Sequence, residues 1–489
     1  MKSRRGNFRT IIKILGTITL IIGISMTIPW IYAELTFEEN AVRAFRICAP
    51  ATLAVGTMIT VLCRSNRTRL QSRDGFLIVT LCWILASIIG MFPYYLSGVT
   101  TSWIDAFFES CSGMTTTGAN GIPFGVTSPA LMLWRALSHW LGGMGILVFV
   151  ISILPALGVS GQSIVRAEAP GPVYQKTSTR ISTSARMLYL TYLSFTAAEF
   201  ILLMLSGKMT CFEVVITTLG CVSTGGLAPV SGGIASFQSL YIEMVVAVFC
   251  ILASINFVLY HYIITGRIVQ ALKDIELRAY LAILAGATIL CTFSLLRTGD
   301  YNLNHAAVEA FFQSASMAST AGYVKTAGLV WPVSCQFILL TLMIIGGCSA
   351  STAGSVKVVR IQIMLKLIAR NCVRRLHPRS VVAVKLGGNA VSAPIVSNIT
   401  AFLLTFAGII LMSGMILSLQ GCDMETSLTT AIAMLSNTGS AVTHAVATGD
   451  FSFYRPGLKL YMCGLMITGR LELFTVIILF TRNFWGRNR

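Results

Sequence analysis

The sequence has few charged residues, few acids and only five histidines. Asp, Glu, Lys and Arg make up 11% of its 489 residues, whereas soluble globular proteins contain roughly 25%. The hydrophobic fraction is 55% and the mean hydropathy is +0.77, which excludes a soluble globular protein and a disordered chain. At roughly 20 residues for each spanning helix, the chain has room for about ten membrane spans.

Common enzyme and metal-site motifs are also absent from the sequence. It contains no phosphate-binding loop, no Gly-x-Ser-x-Gly, no His-Glu-x-x-His and no Cys-x-x-Cys, and no two histidines have metal-ligand spacing. The 13 cysteines lie mostly in apolar runs and are interpreted as core residues. An intramembrane enzyme needs a catalytic pair, and only Glu199 and Glu472 are acids at membrane depth. We therefore expect no enzyme activity.

The net charge of +18 could indicate a nucleic-acid partner, but a membrane protein carries excess Lys and Arg on its cytoplasmic side. We expect no nucleic-acid partner.

The first apolar run is too long for a secretory signal and is interpreted as a retained anchor with its N-terminus inside. Ten apolar runs are visible, at residues 11–32, 41–63, 75–96, 131–153, 187–205, 240–264, 279–296, 331–345, 394–419 and 458–480.

Four short segments rich in Ser, Thr, Gly and Ala lie between long runs and repeat one template. Residues 105–118 align with residues 309–322 without a gap, and residues 212–225 and 426–439 are weaker copies. Self-similarity of this kind is a fold signature. The predicted fold is therefore all-α and membrane-integral, with ten transmembrane helices and four re-entrant pore helices. Two leading helices (1–70) precede four span–segment–span repeats at 71–165, 184–268, 275–372 and 390–489.

The distribution of charge predicts that the short segments dip into the membrane and return to the outer face. With this topology most of the 36 Lys and Arg lie inside and most of the 18 acids lie outside, in agreement with the positive-inside rule. If each segment crossed the membrane, the asymmetry would break at every repeat. Both termini are then cytoplasmic, and Lys357 and Arg470 lie within the membrane.

Four re-entrant loops can face one another around a single axis, because irregular backbone at membrane depth must be buried or line water. A ring of backbone carbonyls can replace the water shell of a monovalent cation, and the C-terminal ends of the preceding half-helices favour cations. Helix packing by Gly and Thr is the alternative interpretation. The candidate ion-binding residues are Thr115, Thr116, Thr117 and Gly118; Val222, Ser223, Thr224 and Gly225; Ser319, Thr320, Ala321 and Gly322; and Ser436, Asn437, Thr438 and Gly439.

These repeats resemble the Trk/Ktr/HKT superfamily of potassium transporters, and the two leading helices resemble the bacterial Trk-type membrane subunit (TrkH/TrkG-like). The resemblance rests on residues 115–118, 319–322 and 437–439, the run 346–357, His377-Pro378 and residues 469–472. It implies that Gly118, Gly225, Gly322 and Gly439 are the glycines of a K⁺ filter, and that the chain takes up K⁺ across the cytoplasmic (inner) membrane of a bacterium. A sodium- or proton-coupled secondary transporter with broken helices is the alternative.

The run that starts at residue 331 is interrupted after residue 345 by eleven residues, 346–356, which are nearly all Gly, Ser, Thr, Ala or Cys. Such a segment holds no stiff helix and is either a relieved kink or an intramembrane gate; the resemblance favours the gate. It also leads us to expect glycines where Ala350 and Ser355 stand. Arg470 is either in a structural ion pair with Glu472 or Glu199 or, by resemblance, a charge beneath the filter. The candidate gate residues are Gly346, Gly347, Ser349, Ser351, Thr352, Gly354, Lys357 and Arg470.

The cytoplasmic loops are short and basic, so the chain has no room for its own nucleotide-binding domain. Basic clusters lie at residues 64–73, 166–186 and 370–385. The resemblance implies a TrkA-like cytosolic regulatory subunit with Rossmann domains that bind NAD(H) or ATP/ADP, and a homodimer of the membrane subunit. We expect no cofactor in this chain, only K⁺ as the transported ion.

Overall fold

The computed structural model describes residues 2–63, 72–123, 125–145, 181–230, 232–324, 331–380, 382–440 and 449–485. The predicted boundaries at residues 1, 70, 71, 165 and 489 lie outside these ranges, as do most residues of the basic clusters at 64–73 and 166–186. The other predicted domain boundaries stay predictions.

The two leading helices, α1 (Lys2–Leu35) and α2 (Glu39–Leu62), form an antiparallel pair. Small residues bring their backbones together, as is typical of membrane helices. A Cβ atom on Gly16 would lie 2.5 Å from Ile59 Cγ2, and one on Gly56 would lie 2.6 Å from the Leu20 backbone nitrogen. Larger residues at these two positions would therefore separate the helices.

Four successive groups of helices follow the leading pair, each with a long helix, a short helix and a second apolar helix. Repeat one contains α3 (Ser72–Leu96), α4 (Trp103–Met114) and α5 (Pro129–Gly143); repeat two contains α6 (Ile181–Met204), α7 (Cys211–Val222), α8 (Leu240–Ser254) and α9 (Phe257–Ile264). After α10 (Ile268–Leu272), repeat three contains α11 (Ile275–Leu296), α12 (Leu303–Ala318), α13 (Val333–Ile345) and α14 (Val358–Leu376). Repeat four contains α15 (Ala393–Ser418), α16 (Met424–Leu435), α17 (Pro456–Arg470), α18 (Phe474–Ile477) and α19 (Arg482–Trp485).

The remaining elements are short. Two 3₁₀ turns occupy Ile234–Phe237 and Ile478–Phe480. The strands β1 (Lys385–Leu386) and β2 (Asn389–Ala390) form an antiparallel hairpin between repeats three and four. Its two-residue turn is Gly387-Gly388, and both glycines have positive φ, as tight hairpin turns require.

The repeats form a closed ring because the second helix of each one packs against the short helix of the next. The contacting pairs are α5 with α7, α8 with α12, α13 with α16, and α17 with α4. The last pair joins repeat four to repeat one. The short helices, called pore helices below, are therefore gathered around one axis, each held between helices of two repeats.

Side-chain caps fix where three of the pore helices begin. The hydroxyl of Ser102 accepts a hydrogen bond from Asp105 N at 3.3 Å, and the carboxylate of Asp423 accepts one from Thr426 N at 3.1 Å. Thr210 and Glu213 form a reciprocal capping box. Each cap satisfies backbone N–H groups that the first turn leaves without intrahelical partners.

Three of the second helices are bent or interrupted within the described residues. The axes of α8 and α9 differ by 95°, and those of α17 and α18 by 112°. Helix α5 ends at Gly143, and α13 is separated from α14 by residues 346–357. Among the described residues six helices are long and apolar enough to cross a membrane, or eight if each bent pair is one span. The predicted fold class, an all-helical membrane protein with re-entrant pore helices, is confirmed.

Candidate filter and the loop beneath it

Each pore helix ends in a turn of the same shape, and these four segments are called the filter turns below. The residue after the helix is Thr115, Ser223, Ser319 or Ser436. The next residue is left-handed in every repeat, with φ of 56° at Thr116, 55° at Thr224, 57° at Thr320 and 56° at Asn437. A left-handed non-glycine residue costs about 1–2 kcal/mol, so the surrounding contacts must hold this backbone in place.

Backbone hydrogen bonds to the pore helix supply that constraint. The third residue of each turn donates its N–H to a carbonyl of the last helical turn. The four bonds join Thr117 to Ser112, Gly225 to Gly220, Ala321 to Ser316 and Thr438 to Ala433, at 2.8–3.0 Å. The first three residues of every turn are almost wholly removed from solvent. The carbonyl groups are therefore presented by a fixed, buried backbone.

The second filter turn lies one residue later than the sequence alignment placed it. Thr224, and not Ser223, has the left-handed conformation of Thr116, so Gly226 is the equivalent of Gly118. The φ of Gly226 is +66°, whereas Gly225 does not have positive φ. The pairing of Gly225 with Gly118 is wrong by one residue, and Val222 is the last residue of α7 and not part of the turn. The sequence offers two adjacent glycines here, and only the backbone distinguishes them.

The fourth residue of each turn packs against a carbonyl of the next repeat. A Cβ atom would lie 2.3 Å from Gly225 O if added to Gly118, and 1.9 Å from Ala321 O if added to Gly226. It would lie 2.0 Å from Thr438 O on Gly322, and 2.0 Å from Thr117 O on Gly439. Real Cβ atoms do not approach within 3.0 Å. Glycine is needed at all four positions because the four contacts close into a ring of carbonyls.

Side chains tie repeat four to its neighbours in the ring. The amide of Asn437 donates to Thr117 Oγ1 at 3.0 Å and to Met466 O at 2.9 Å. The Ser440 hydroxyl donates to Gly322 O of repeat three. Within repeat one, Thr117 is held in turn by a hydrogen bond of 2.7 Å with Thr115. These contacts are buried, so they strengthen the closure of the ring from outside the axis.

Residues 346–357 form an irregular segment, called the gate loop below, that lies against the inner side of the filter turns. Gly354 N donates to Thr320 Oγ1 at 2.8 Å, and a Cβ atom on Gly354 would lie 2.4 Å from Ser436 O. The loop backbone also bonds to repeat two, through Cys348 N to Ser254 O at 2.8 Å. The loop therefore contacts turns three and four directly.

A buried carboxylate anchors the other side of the gate loop. Glu276, at the start of α11, accepts hydrogen bonds from Ser349 N at 2.7 Å, Ser349 Oγ at 2.5 Å and Val359 N at 3.2 Å. Sequence analysis did not select Glu276, because its partners lie more than seventy residues later in the chain. Its position at the start of an apolar run was the available signal.

The gate loop has left-handed backbone at residues that are not glycine. The φ angles are 54° at Ala350, 69° at Ser355 and 79° at Lys357. Ala350 and Ser355 are the two positions where glycines were expected from the resemblance. The loop keeps the backbone that glycine favours while carrying side chains, so it holds local strain.

Arg470, at the end of α17, connects the gate loop to the first filter turn. Its guanidinium donates to Thr116 Oγ1 at 3.2 Å and Thr352 O at 3.0 Å, and to the carbonyls of Gly142 and Gly143 at 2.5 and 2.6 Å. Five donors in a fixed fork make such multiple contacts possible. The charge therefore lies directly beneath the filter turns.

Two further charged groups lie nearby. Lys357 is buried, and its ammonium donates to Ala353 O. Glu472, a suggested partner of Arg470, forms a partly buried ion pair with Arg360. The carboxylate oxygens of Glu199, the other suggested partner, have no hydrogen bond within the described part of the chain.

Comparison with known proteins identifies the family. The family model TrkH, described as "Cation transport protein", matches residues 41–487. The chain belongs to the TrkH family. It is 34% identical to the Trk system potassium uptake protein TrkH of Escherichia coli K12, over 98% of this chain and 99% of that protein. It is 31% identical to TrkG of the same strain, over 98% of each.

The fold of this TrkH family member agrees with a solved relative. The crystal structure of the potassium transporter TrkH from Vibrio parahaemolyticus matches with a TM-score of 0.87 and 31% identity, covering 98% of this chain and 100% of that chain. The resemblance drawn from residues 115–118, 319–322 and 437–439 is therefore confirmed at the level of family and fold.

The predicted gate residues are only partly brought to the filter turns. Thr352, Gly354 and Arg470 contact them or lie one hydrogen bond away. Gly347 lies beside Ser254, Ser349 binds Glu276, and Ser351 bonds to Cys348 O. Gly346 is at the end of α13 and Lys357 at the start of α14. These residues hold the two ends of the loop.

Proposed function

We propose that this chain takes up K⁺ across the cytoplasmic membrane of a bacterium through one pseudo-fourfold filter made of the four filter turns. The ring of glycine–carbonyl contacts is the observation that carries the proposal. Carbonyl oxygens can replace the hydration shell of K⁺. Relatives named as potassium uptake proteins and a potassium transporter support the choice of ion. The chain acts as a transport protein and not as an enzyme.

The surroundings of the ring favour a cation. Four pore helices end at the turns, so their negative C-terminal ends are directed toward the axis. The proposed ligands are the carbonyls of residues 115–118, 223–226, 319–322 and 436–439. No resident cofactor is needed in this scheme, since K⁺ is the cargo.

Flux into vesicles tests the proposal. Purified protein in K⁺-loaded liposomes should take up ⁸⁶Rb⁺, and external K⁺ should compete far better than external Na⁺. Protein-free liposomes are the control. Vesicles whose ⁸⁶Rb⁺ uptake does not exceed that control, or in which Na⁺ competes as well as K⁺, would contradict a K⁺ filter.

A sodium- or proton-coupled secondary transporter is the alternative, and the broken helix pairs favour it. The bends of 95° and 112° are of the kind that places helix ends at substrate sites in transporters. Uptake that needs an imposed Na⁺ or pH gradient supports this alternative. Uptake driven by the K⁺ gradient alone supports passive permeation.

We propose that the gate loop obstructs the pathway in the closed state. Its contacts with Thr320 Oγ1 and near Ser436 O support this position. Removing residues 350–353 should raise basal ⁸⁶Rb⁺ uptake, because the segment beneath the turns becomes too short to reach them. A folded deletion variant with equal or lower uptake would contradict the proposed gate.

A TrkA-like cytosolic subunit that binds NAD(H) or ATP/ADP is proposed to move the gate loop through α14. This helix begins directly after the loop and ends in exposed basic residues, Arg374 and Arg375. Reversing both charges should weaken binding of the subunit and remove the nucleotide response of flux. Reversal at the outer residue Arg455, also exposed, is the matched control. A full nucleotide response from the membrane subunit alone would contradict the mechanism.

The assembly and topology complete the proposal. The membrane subunit forms a homodimer in lipid, with both termini cytoplasmic. Cross-linking in native membranes and reactivity of terminal tags from each side test these two points. A monomer in native membranes, or a terminus that reacts only from outside, would contradict them.

A further inference from the structure

A buried carboxylate forms hydrogen bonds to the main chain directly after the first filter turn. Glu109, on the pore helix α4, accepts hydrogen bonds from Gly121 N at 2.8 Å and Ile122 N at 3.3 Å. Its side chain is 1% exposed. Because both donors are backbone groups, the carboxylate fixes the path of the main chain three and four residues beyond Gly118.

Arg135, on α5, binds both Glu109 and the main chain after the first filter turn. Its Nη1 donates to Glu109 and to the side-chain oxygen of Asn120, and its Nη2 donates to Ala119 O at 2.8 Å. The side chain is 8% exposed. The planar fork of arginine reaches three acceptors at once, which the point charge of lysine cannot do. Arg135 and Glu109 thus hold residues 119–122 from two helices.

We propose that Glu109 and Arg135 form a charged clamp that positions the first filter turn and sets how strongly the filter discriminates K⁺ from Na⁺. This inference rests on the proposed function of the ring. The clamp acts through the backbone and touches no ion, so both are positioning residues. The pair is neutral overall, and it therefore adds no net charge beside the pathway.

The clamp also extends to repeat four, where the ring closes. Asn120 N donates to Gly449 O at 2.7 Å, and Phe451 N donates to Asn120 O at 2.8 Å. The backbone held by Arg135 is therefore paired with the segment that follows the fourth filter turn. Gly439 packs closely against this backbone, since a Cβ atom on Gly439 would lie 2.0 Å from Thr117 O and 2.8 Å from Ala119 N. A shift of residues 119–120 would therefore displace Gly439.

Repeat three contains an uncharged version of the same device. Gln313 occupies the place of Glu109 in the gap-free alignment, and its amide donates to Tyr323 O at 3.2 Å. Ser316 Oγ donates to the same oxygen at 2.8 Å. Tyr323 follows Gly322 as Ala119 follows Gly118. A neutral clamp is thus compatible with this fold, and the charged one belongs to the first repeat.

The same comparison identifies a neutral replacement for Arg135. Gly142 and Gly469 each pack against the last carbonyl of a pore helix, Met114 O and Leu435 O. Aligning α5 and α17 on these contacts places Met462 at the position of Arg135. The double variant Glu109→Gln with Arg135→Met therefore copies side chains that the chain already uses, and it leaves no buried unpaired charge.

Two variants and one control test the clamp in full-length protein in liposomes. Arg135→Lys keeps the charge but not the fork, and the double variant removes the charges and keeps the volume. Lys459→Met is the control, because the buried Lys459 forms an ion pair at 2.7 Å with the partly exposed Asp105 on the same pore helix and makes no hydrogen bond to the described residues 119–122. The measurement is the ratio of Na⁺ to K⁺ concentrations that halve ⁸⁶Rb⁺ uptake, with thermal unfolding as the check on folding.

We expect this ratio to fall about tenfold in Arg135→Lys and in the double variant, the effect of about one lost charge-assisted hydrogen bond, and to stay at the wild-type value in Lys459→Met. A folded clamp variant with the wild-type ratio overturns the inference. An equal fall in the control also overturns it, because the effect is then general destabilisation. If wild-type protein itself shows no preference for K⁺, the proposed function fails instead.

Discussion

Replacing Gly118 by Ser tests the ring of glycine–carbonyl contacts where it is least tight. The added Cβ would lie 2.3 Å from Gly225 O, whereas the equivalent distances at Gly226, Gly322 and Gly439 are 1.9–2.0 Å. Gly118 is therefore the ring glycine whose replacement is most readily accommodated. We expect Gly118→Ser to fold and the same change at Gly226 to reduce the yield of folded protein.

A serine side chain at position 118 has two structural consequences, a displaced carbonyl and a strained backbone. To reach the 3.0 Å that Cβ contacts keep, Gly225 O must retreat by about 0.7 Å, the difference between 3.0 and 2.3 Å. The φ of +80° at Gly118 adds strain of about 1–2 kcal/mol for a residue with a side chain. We expect the displacement of this carbonyl to reduce the preference for K⁺ by an energy of the same order, about 1–2 kcal/mol, which is a factor of about 5–30.

Competition against ⁸⁶Rb⁺ uptake measures the change. In Gly118→Ser, the ratio of the Na⁺ concentration to the K⁺ concentration that halves ⁸⁶Rb⁺ uptake should fall by that factor. Gly408→Ser is the matched control, because Gly408 lies on the exposed face of α15 and a Cβ there meets nothing within 4 Å. A folded Gly118→Ser protein with wild-type competition would refute the ring as the source of selectivity.

Three further predictions concern the gate loop and a pore-helix cap. Ala350→Gly should raise the free energy of unfolding by about 1 kcal/mol, because Ala350 has positive φ; an unchanged or lower Tm would contradict stored strain. Glu276→Gln should raise basal ⁸⁶Rb⁺ uptake several-fold, because the amide loses acceptor capacity for three donors; uptake at the wild-type level would contradict an anchoring role. Hydrogen bonds from Thr426 lower the pKa of Asp423, so its stabilising contribution is present above the unfolded-state pKa and is lost as pH falls through the folded-state value. Asp423→Ala should lower the Tm more at pH 7 than at about pH 3, which lies below the unfolded-state pKa; an equal decrease at both pH values would contradict the ionised cap.

The repeats could be predicted from sequence because both the apolar runs and the filter glycines recur at fixed places. The template ends in a single glycine in three repeats, and in the structure these glycines, Gly118, Gly322 and Gly439, all have positive φ at the fourth residue of their turns. Repeat two has Gly225 and Gly226, and the choice depends on which one faces Ala321 O. That contact lies in the next repeat, so no local pattern contains it.

The positions at which apolar runs break into separate helices were harder to predict from the sequence than the runs themselves. The ten runs count residues, but a run becomes one helix only if every backbone group within it is satisfied. Helix α8 ends at Ser254, and Asn256 caps the start of α9 by accepting a hydrogen bond from Val258 N at 2.9 Å. Leu473 breaks the last run through positive φ. Both residues lie in apolar surroundings, and hydropathy does not register a change in backbone direction.

The clamp and Arg470 together make the first repeat different from the others although the ring is fourfold in its backbone. Arg135 holds residues 119–120 outside Gly118, and Arg470 contacts Thr116 on the inner side of the same turn. Arg470 also binds Thr352 O of the gate loop. Any movement of the loop that withdraws Thr352 must break a charge-assisted hydrogen bond to a residue that also holds the filter. In the proposed mechanism, opening of the gate loop is therefore coupled to the first filter turn, and the clamp keeps that turn in place when the inner contact is lost.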